Sequence, residues 1–157
     1  MSLAPTTSRI SPFLWFDTNA EEAVNFYLSI FPNSRILNRV VRSFSDPSGP
    51  AGTVLLIAFE LDGLPFTALN GGPGYPFTQA VSFFIRCANQ QEIDHYWARL
   101  TDGGNEIRCG WLKDRFGLCW QVVPENIGQL VSHPAAMQAL MQMVKIDIAT
   151  LERAAQG

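Results

Sequence analysis

Cys109 and Lys113 are the pair of side chains whose types and spacing most directly suggest chemistry in this sequence. If residues 109–113 form an unbroken strand, alternation places the side chains of Cys109, Trp111 and Lys113 on one face. The ammonium of Lys113 would then lower the pKa of the Cys109 thiol. That arrangement predicts an activated cysteine. The alternative is a buried strand thiol beside a surface lysine, and Gly110 between them permits a bulge that would break the alternation.

Metal chemistry would need several strong ligands at matched spacings, which the other reactive residues do not offer. The two histidines are His95, within a predicted helix, and His133, directly before a proline. Cys87 and Cys119 lie on or beside different predicted strands from Cys109 and share no paired spacing with it. Divalent transition metals favour clustered imidazole, thiolate or carboxylate groups. The sequence therefore predicts no metal site.

The composition excludes several classes of protein. The 157 residues are 47% apolar and 16% charged, and the charged share is below the roughly 25% of an average globular chain. Because disordered chains are poor in apolar residues and rich in charge, this composition excludes a disordered chain. The 11 basic and 14 acidic residues are spread without runs, which argues against a nucleic-acid partner. No apolar run approaches the roughly 18 residues that span a bilayer, and residues 1–9 lack a secretory pattern. Three cysteines are too few, and odd in number, for a disulfide framework, so we expect a cytoplasmic protein.

A repeated pattern supplies the elements that would position these side chains. Residues 13–16 form an apolar run, followed by an Asn-x-x-Glu sequence from Asn19 and then by an aromatic pair. Seventy residues later, residues 83–85 are followed by the same sequence from Asn89 and by another aromatic pair. The Asn-x-x-Glu spacing is typical of a capped helix start. The repeat therefore predicts a strand and then a helix in each half of the chain.

The repeat resumes at the end of each half. Residues 63–67 resemble residues 117–121 and predict a closing strand in both places. Between helix and closing strand there is room for two further strands, so each half is predicted to be one strand, one helix and three strands. The predicted modules cover residues 9–74 and 75–124, and a helical tail follows over 125–157.

Four strings carry a resemblance to a known family. They are FLWFDTNAEEAVNFY (13–27), NGGP (70–73), CGWLKDRFGLCWQVVP (109–124) and KIDIATLE (145–152). They resemble the PhnB-like family, also called 3-demethylubiquinone-9 3-methyltransferase-like, of the vicinal-oxygen-chelate superfamily, which includes glyoxalases and bleomycin-resistance proteins. The resemblance implies an α+β fold in which tandem βαβββ modules form a curled mixed-sheet cup, with a helical tail added.

The resemblance also implies where a metal would bind in this superfamily. The ligands come from the first and last strand of each module, which places them at Pro12, Thr67, Ser82 and Gln121. Of these side chains only the amide of Gln121 is a familiar ligand type, and one amide cannot hold a transition metal. We therefore predict neither a metal nor another cofactor.

The concave face of the cup is the ligand site that the resemblance implies. Alternation along the strands places Leu14 and Phe16 on that face in the first module, and Phe84 and Arg86 in the second. A mainly apolar lining with a few polar groups suits a small aromatic or quinone-like molecule; the alternative is a filled core without a cavity. The predicted ligand-binding residues are Leu14, Phe16, Thr67, Leu69, Ser82, Phe84, Arg86, Cys109, Trp111 and Gln121.

Four functions remain open at this point. The first is a binding protein or metal-independent enzyme for a small aromatic ligand. The second is the methyltransferase that the family name implies, although residues 71–74 lead into a predicted strand and not into the helix that a cofactor loop requires. The third is a metal-dependent glyoxalase or dioxygenase, and the fourth is an interaction module. Under each we expect a homodimer, with no nucleic acid and no membrane as partner.

Overall fold

The computed structural model describes residues 8–157, which form two compact units that divide after Pro76. Residues 1–7, which make up most of the segment predicted to lack a secretory signal, lie outside the described residues. The first unit contains one βαβββ module, called module 1. The second contains another, called module 2, together with the helical tail.

Module 1 follows the predicted order of one strand, one helix and three strands. Its elements are β1 (Phe13–Phe16), α1 (Ala20–Ile30), β2 (Arg35–Val41), β3 (Val54–Leu61) and β4 (Leu64–Asn70). The sheet order is β1-β4-β3-β2, with β1 parallel to β4 and the other pairs antiparallel. Helix α1 packs on one face of β3 and β4, where the buried Ile57, Phe59 and Phe66 form the centre of the core.

Module 2 repeats this topology with shorter strands. Its elements are β5 (Ser82–Cys87), α2 (Gln90–Thr101), β6 (Asn105–Glu106), β7 (Trp111–Lys113) and β8 (Cys119–Pro124). The sheet order is β5-β8-β7-β6, again with the first and last strands parallel. Helix α2 buries Ile93, Trp97 and Leu100 against this sheet. The predicted tandem βαβββ fold is confirmed.

The two helices begin in different ways although their first residues look alike in the sequence. In α2 the side chain of Asn89 accepts a hydrogen bond from the N–H of Glu92 at 2.9 Å, as the capping pattern predicts. In α1 the side chain of Asn19 makes no such bond, so the same prediction is wrong there. Instead Asn70, at the end of β4, accepts from the N–H of Ala20 at 2.8 Å. A residue 50 positions away therefore caps α1.

The tail contains three helices, and the predicted helical tail is confirmed. They are α3 (Ile127–Val131), α4 (Pro134–Met141) and α5 (Ile148–Gln156). Gln90 of α2 holds the tail, because its amide bonds to the carbonyl of Ile146 at 3.0 Å and to the N–H of Ile148 at 2.9 Å. Lys145 and Asp94 add an ion pair at 2.8 Å. Across residues 8–157, every helix is too short or too polar to traverse a bilayer.

Candidate functional site

The face of the module 2 sheet opposite α2 brings together most of the ligand-binding residues predicted in that half. Strand register places Phe84 beside Gln121 and Gln121 beside Trp111, so these three residues form a row across β5, β8 and β7. Paired strands lie about 4.8 Å apart, so the row spans about 10 Å. We call this surface the open face of module 2; its residues are Ser82, Phe84, Arg86, Trp111, Lys113, Cys119, Gln121 and Val123, of which Cys119 and Val123 are buried.

A hydrogen bond fixes the amide at the centre of the row. Gln121 Nε2 donates to Ser82 Oγ at 2.9 Å. The amide keeps its carbonyl oxygen and a second N–H for another partner, and the Ser82 hydroxyl keeps its own proton to donate. Phe84 is 40% exposed, and Gln121 and Trp111 are half-buried. The row therefore combines two aromatic side chains with a donor and an acceptor between them.

The open face of module 2 also carries two cations. The guanidinium of Arg86 lies over the ring of Phe84, with Cζ 5.0 Å from the ring centroid. Lys113 lies beside Cys119 on the far side of β8. Within residues 8–157 neither cation has a carboxylate partner, in contrast to Arg35, Arg42, Arg115 and Lys145, which lie 2.8–3.3 Å from carboxylate oxygens.

The thiol chemistry considered for Cys109 depends on a strand that is absent at that position. Strand β7 begins at Trp111, and Cys109 and Gly110 both have positive φ, at 59° and 82°. The tail causes this turn, because the carbonyl of Met143 accepts from the N–H of Cys109 at 2.9 Å. The prediction that Cys109 alternates with Trp111 and Lys113 is therefore wrong, although Trp111 and Lys113 do share a face.

The other two thiols are buried and protonated at neutral pH. Burial, with a smaller contribution from Glu92, raises the pKa of Cys87 to about 12. Burial also raises the pKa of Cys119; Lys113 opposes this rise and Asp114 adds to it. A thiol nucleophile must be deprotonated, so neither residue is suited to nucleophilic chemistry.

In module 1 the first strand presents the opposite face from the one predicted. Leu14 and Phe16 are only 5% and 3% exposed and lie in register with Ala68 and Asn70, on the side of the sheet that carries α1. Their predicted position on a ligand-facing surface is therefore wrong. The opposite face, called the open face of module 1, contains Phe13, Trp15, Leu56, Ala58, Glu60, Thr67 and Leu69.

The error comes from a one-residue difference between the modules. Phe13 pairs with Thr67, and Phe84 pairs with Gln121, so the equivalent strand positions Phe13 and Phe84 are 71 residues apart. The helix starts are only 70 apart, because the connection from strand to helix is one residue shorter in module 2. A shift of one residue moves every side chain of a strand to the other face. In module 2 the prediction for the first strand holds, and Ser82 lies on the same face as Phe84 and Gln121.

The residues at the positions implied for a metal do not fit a metal ion. Pro12, Thr67, Ser82 and Gln121 provide two hydroxyls and one amide as their only polar side-chain groups, and that amide is bonded to the Ser82 hydroxyl. Across residues 8–157, no three histidine, cysteine or acidic side chains are gathered in a way that could hold a metal. His95 is exposed on α2, and His133 precedes the first residue of α4.

The glycine-rich loop after β4 packs against Trp15. The indole Nε1 donates to the carbonyl of Gly72 at 2.9 Å, and a Cβ on Gly71 would lie 2.3 Å from the indole ring. The ring of Tyr75 lies 4.7 Å from that of Trp15. These glycines therefore permit close packing within module 1, and the loop continues into β5 and not into a helix.

Sequence reasoning missed the most heavily bonded polar side chain of module 1. Arg42 is 5% exposed and lines a cavity of about 340 Å³ with Thr18, Ser48, Thr53 and Asn70 among its neighbours. Its five N–H groups all donate, to Asp46, Ser48, Thr53 and the carbonyls of Val54 and Asn70. The one sequence signal for this site is the Asp46-Pro47-Ser48-Gly49 turn. Because the guanidinium is saturated, its role is to hold the loop between β2 and β3.

The comparisons with known proteins agree on one family. A family model described as 3-demethylubiquinone-9 3-methyltransferase matches residues 8–123. The PhnB protein of Bacillus cereus is 32% identical, with a TM-score of 0.67, and the match covers 74% of this chain and 99% of that one.

Two more distant structures share the fold alone. A protein of Pseudomonas aeruginosa is 20% identical with a TM-score of 0.59, and the match covers 75% of this chain and 97% of that one. A gene product of Arabidopsis thaliana is 18% identical with a TM-score of 0.50, and the match covers 75% of this chain and 98% of that one. No curated protein matched the sequence.

Proposed function

Because this chain belongs to the PhnB-like, 3-demethylubiquinone-9 3-methyltransferase family, we propose that it binds a small aromatic or quinone-like molecule on the open face of module 2. The observation that carries the proposal is the row formed by Phe84, Gln121 and Trp111, with the central amide held by Ser82. The family name, which refers to a quinone ring, supports the same class of ligand.

The chemistry of the row matches the two needs of a quinone. The flat ring requires apolar surface, and aromatic contacts contribute roughly 0.5–1.5 kcal/mol each beyond the area they bury. The ring oxygens require hydrogen-bond donors, which the second N–H of Gln121 and the hydroxyl of Ser82 supply. A reduced ring with hydroxyl groups would instead donate to the carbonyl oxygen of Gln121. The same side chains therefore suit the oxidised and the reduced forms.

Methyl transfer is the second candidate function, and the family description favours it. The chain's glycine-rich loop does not fit the usual binding mode of S-adenosylmethionine, because its close approach is to Trp15 and it precedes a strand. We therefore derive no methyl-transfer step, and ligand binding without such a step is the function that we propose.

Titration with tetramethyl-1,4-benzoquinone tests this proposal, since its ring is fully substituted and cannot alkylate thiols. Replacing Gln121→Leu removes the central hydrogen bonds at similar volume and should raise the dissociation constant about tenfold, which corresponds to about 1.4 kcal/mol. The matched control is Gln91→Leu, an exposed glutamine on α2, which should leave binding unchanged.

Two results would count against the proposal. Equal affinity of wild type and Gln121→Leu for tetramethyl-1,4-benzoquinone would show that the row does not form the binding surface. Stabilisation by S-adenosylmethionine in the absence of any quinone, seen as a rise in melting temperature, would favour the methyltransferase instead, because a ligand that binds only the native state stabilises it.

A further inference from the structure

The open face of module 2 carries charge of one sign. Arg86 and Lys113 are its cations, and none of its other six members is acidic. Of the acidic residues nearby in sequence, Asp114 is 2% exposed and accepts from Trp120 Nε1 at 2.9 Å, and Glu106 accepts from Trp97 Nε1 at 2.8 Å. Glu125, two residues after Val123, is exposed and forms no ion pair with Arg86. The eight residues of this face therefore carry positive charge only, and Arg86 forms no ion pair within residues 8–157.

Arg86 is the cation that contacts a ring of the aromatic row. It follows Phe84 by two residues on the same strand, so the two Cα atoms are about 6.6 Å apart. Its guanidinium contacts the Phe84 ring, and within residues 8–157 no carboxylate neutralises it. Lys113 follows Trp111 by the same two residues at the other end of the row. Its partner Cys119 lies four residues, about 13 Å, from Val123, the partner of Arg86, so the two cations lie at opposite corners of the face.

We propose that the natural ligand of this face is an aromatic carboxylate whose carboxylate group binds Arg86. The planar guanidinium can donate two parallel hydrogen bonds to a carboxylate while its face stays on the Phe84 ring. The aromatic part of the ligand then lies along the row toward Gln121 and Trp111. This inference rests on the proposed function, because it assigns a charged substituent to the ligand of the same face.

A pair of probes that differ only in charge tests the inference, namely 2-naphthoate and 2-naphthamide, measured by calorimetry at low salt. The wild type should bind the naphthoate about tenfold more tightly, the size expected of one charge-assisted hydrogen-bonded contact. Arg86→Gln should reduce this ratio to about one through weaker binding of the naphthoate, with the naphthamide affinity unchanged. Lys113→Gln tests the other cation of this face, and Arg39→Gln, exposed on β2 of module 1, is the control and should keep the ratio.

The outcomes separate this inference from the proposed function. If both probes bind the wild type equally and Gln121→Leu weakens both, the aromatic site stands and the assignment of Arg86 is wrong. A ratio lost in Lys113→Gln but kept in Arg86→Gln also overturns the assignment. If the wild type binds tetramethyl-1,4-benzoquinone but neither naphthalene probe, this inference fails and the proposed function stands; if it binds none of the three, both fail.

Discussion

The two open faces have the same topology but different chemistry. On module 1 the charged pair Arg35 and Glu60 is joined at 3.1 Å, and the one indole donates to a backbone carbonyl. On module 2 the central amide keeps free hydrogen-bonding groups, and two cations lack carboxylate partners within residues 8–157. The two sheets therefore share a topology but differ in their polar groups: Arg35, Glu60 and the Trp15 indole are paired within module 1, whereas Gln121, Arg86 and Lys113 of module 2 keep capacity for further partners.

The largest expected difference between the modules is in the free energy of unfolding that is lost when Asp114 of module 2 or Glu60 of module 1 is replaced. This buried carboxylate accepts from the N–H groups of Phe116 and Leu118 and from the indole of Trp120, at 2.8–3.1 Å. Asp114→Ala leaves all three donors unsatisfied and should cost about 3 kcal/mol in the free energy of unfolding. Glu60, 54 positions earlier, forms only a surface pair, so Glu60→Ala should cost less than about 1 kcal/mol. Urea denaturation measures both.

A similar loss of stability in the two variants would contradict this contrast between a buried anchor and a surface ion pair. The slope of the unfolding free energy against urea should stay the same in both variants. An unchanged slope indicates that the variants still unfold from the native state.

Gly71 tests whether Trp15 is committed to packing in module 1. A Cβ at this position would lie 2.3 Å from the indole ring, so Gly71→Ala should destabilise the protein by about 1–3 kcal/mol through overpacking. Gly128 is the control: it is helical, and a Cβ added there would have open space within 4 Å, so Gly128→Ala should be neutral or stabilising. Thermal unfolding compares the two, and a neutral Gly71→Ala would mean that Trp15 moves freely.

The smallest expected effect is the dependence of stability on alkaline pH, which should arise in module 2. Burial raises the pKa of Cys87 from 9.0 to about 12, so between these values the unfolded thiol loses its proton and the folded thiol keeps it. Stability from this group is therefore complete below pH 9 and is lost as pH rises toward 12. Between pH 9 and 10 the loss should be about 1 kcal/mol.

Urea denaturation at several alkaline pH values measures this dependence. Cys87→Ala should flatten the slope of the unfolding free energy against pH, whatever its effect on absolute stability. An unchanged slope in this variant would assign the alkaline loss to other groups.

The sequence predicted what local patterns determine and missed what distant residues determine. The strands and helices of both modules follow from apolar runs and turn residues, and the Asn89 cap follows from its own helix. The cap of α1 comes from Asn70, and the turn at Cys109 is held by the carbonyl of Met143. Because both partners are distant in sequence, neither feature could be predicted from neighbouring residues. Leu14 and Phe16 were assigned to the wrong face because a one-residue difference in loop length reverses the facing of a strand.

The candidate site was predicted better on module 2 than on module 1 for the same reason. The alternation predicted for β5 is correct, so five predicted residues share a face: Ser82, Phe84, Arg86, Trp111 and Gln121. The bonding of Arg42 joins residues from two strands and a loop, and no spacing within the sequence indicates it. Whether the predicted ligand-binding residues contact a ligand stays a prediction.

The indole N–H resonances of the protein test most directly whether module 2 is the ligand surface. Trp15 and Trp111 lie on the two open faces and can be assigned in a two-dimensional ¹H–¹⁵N spectrum by single Trp→Phe substitutions. On titration with tetramethyl-1,4-benzoquinone, the Trp111 resonance should shift in a saturable way while the Trp15 resonance stays in place. A saturable shift of Trp15 with Trp111 unmoved would contradict the account.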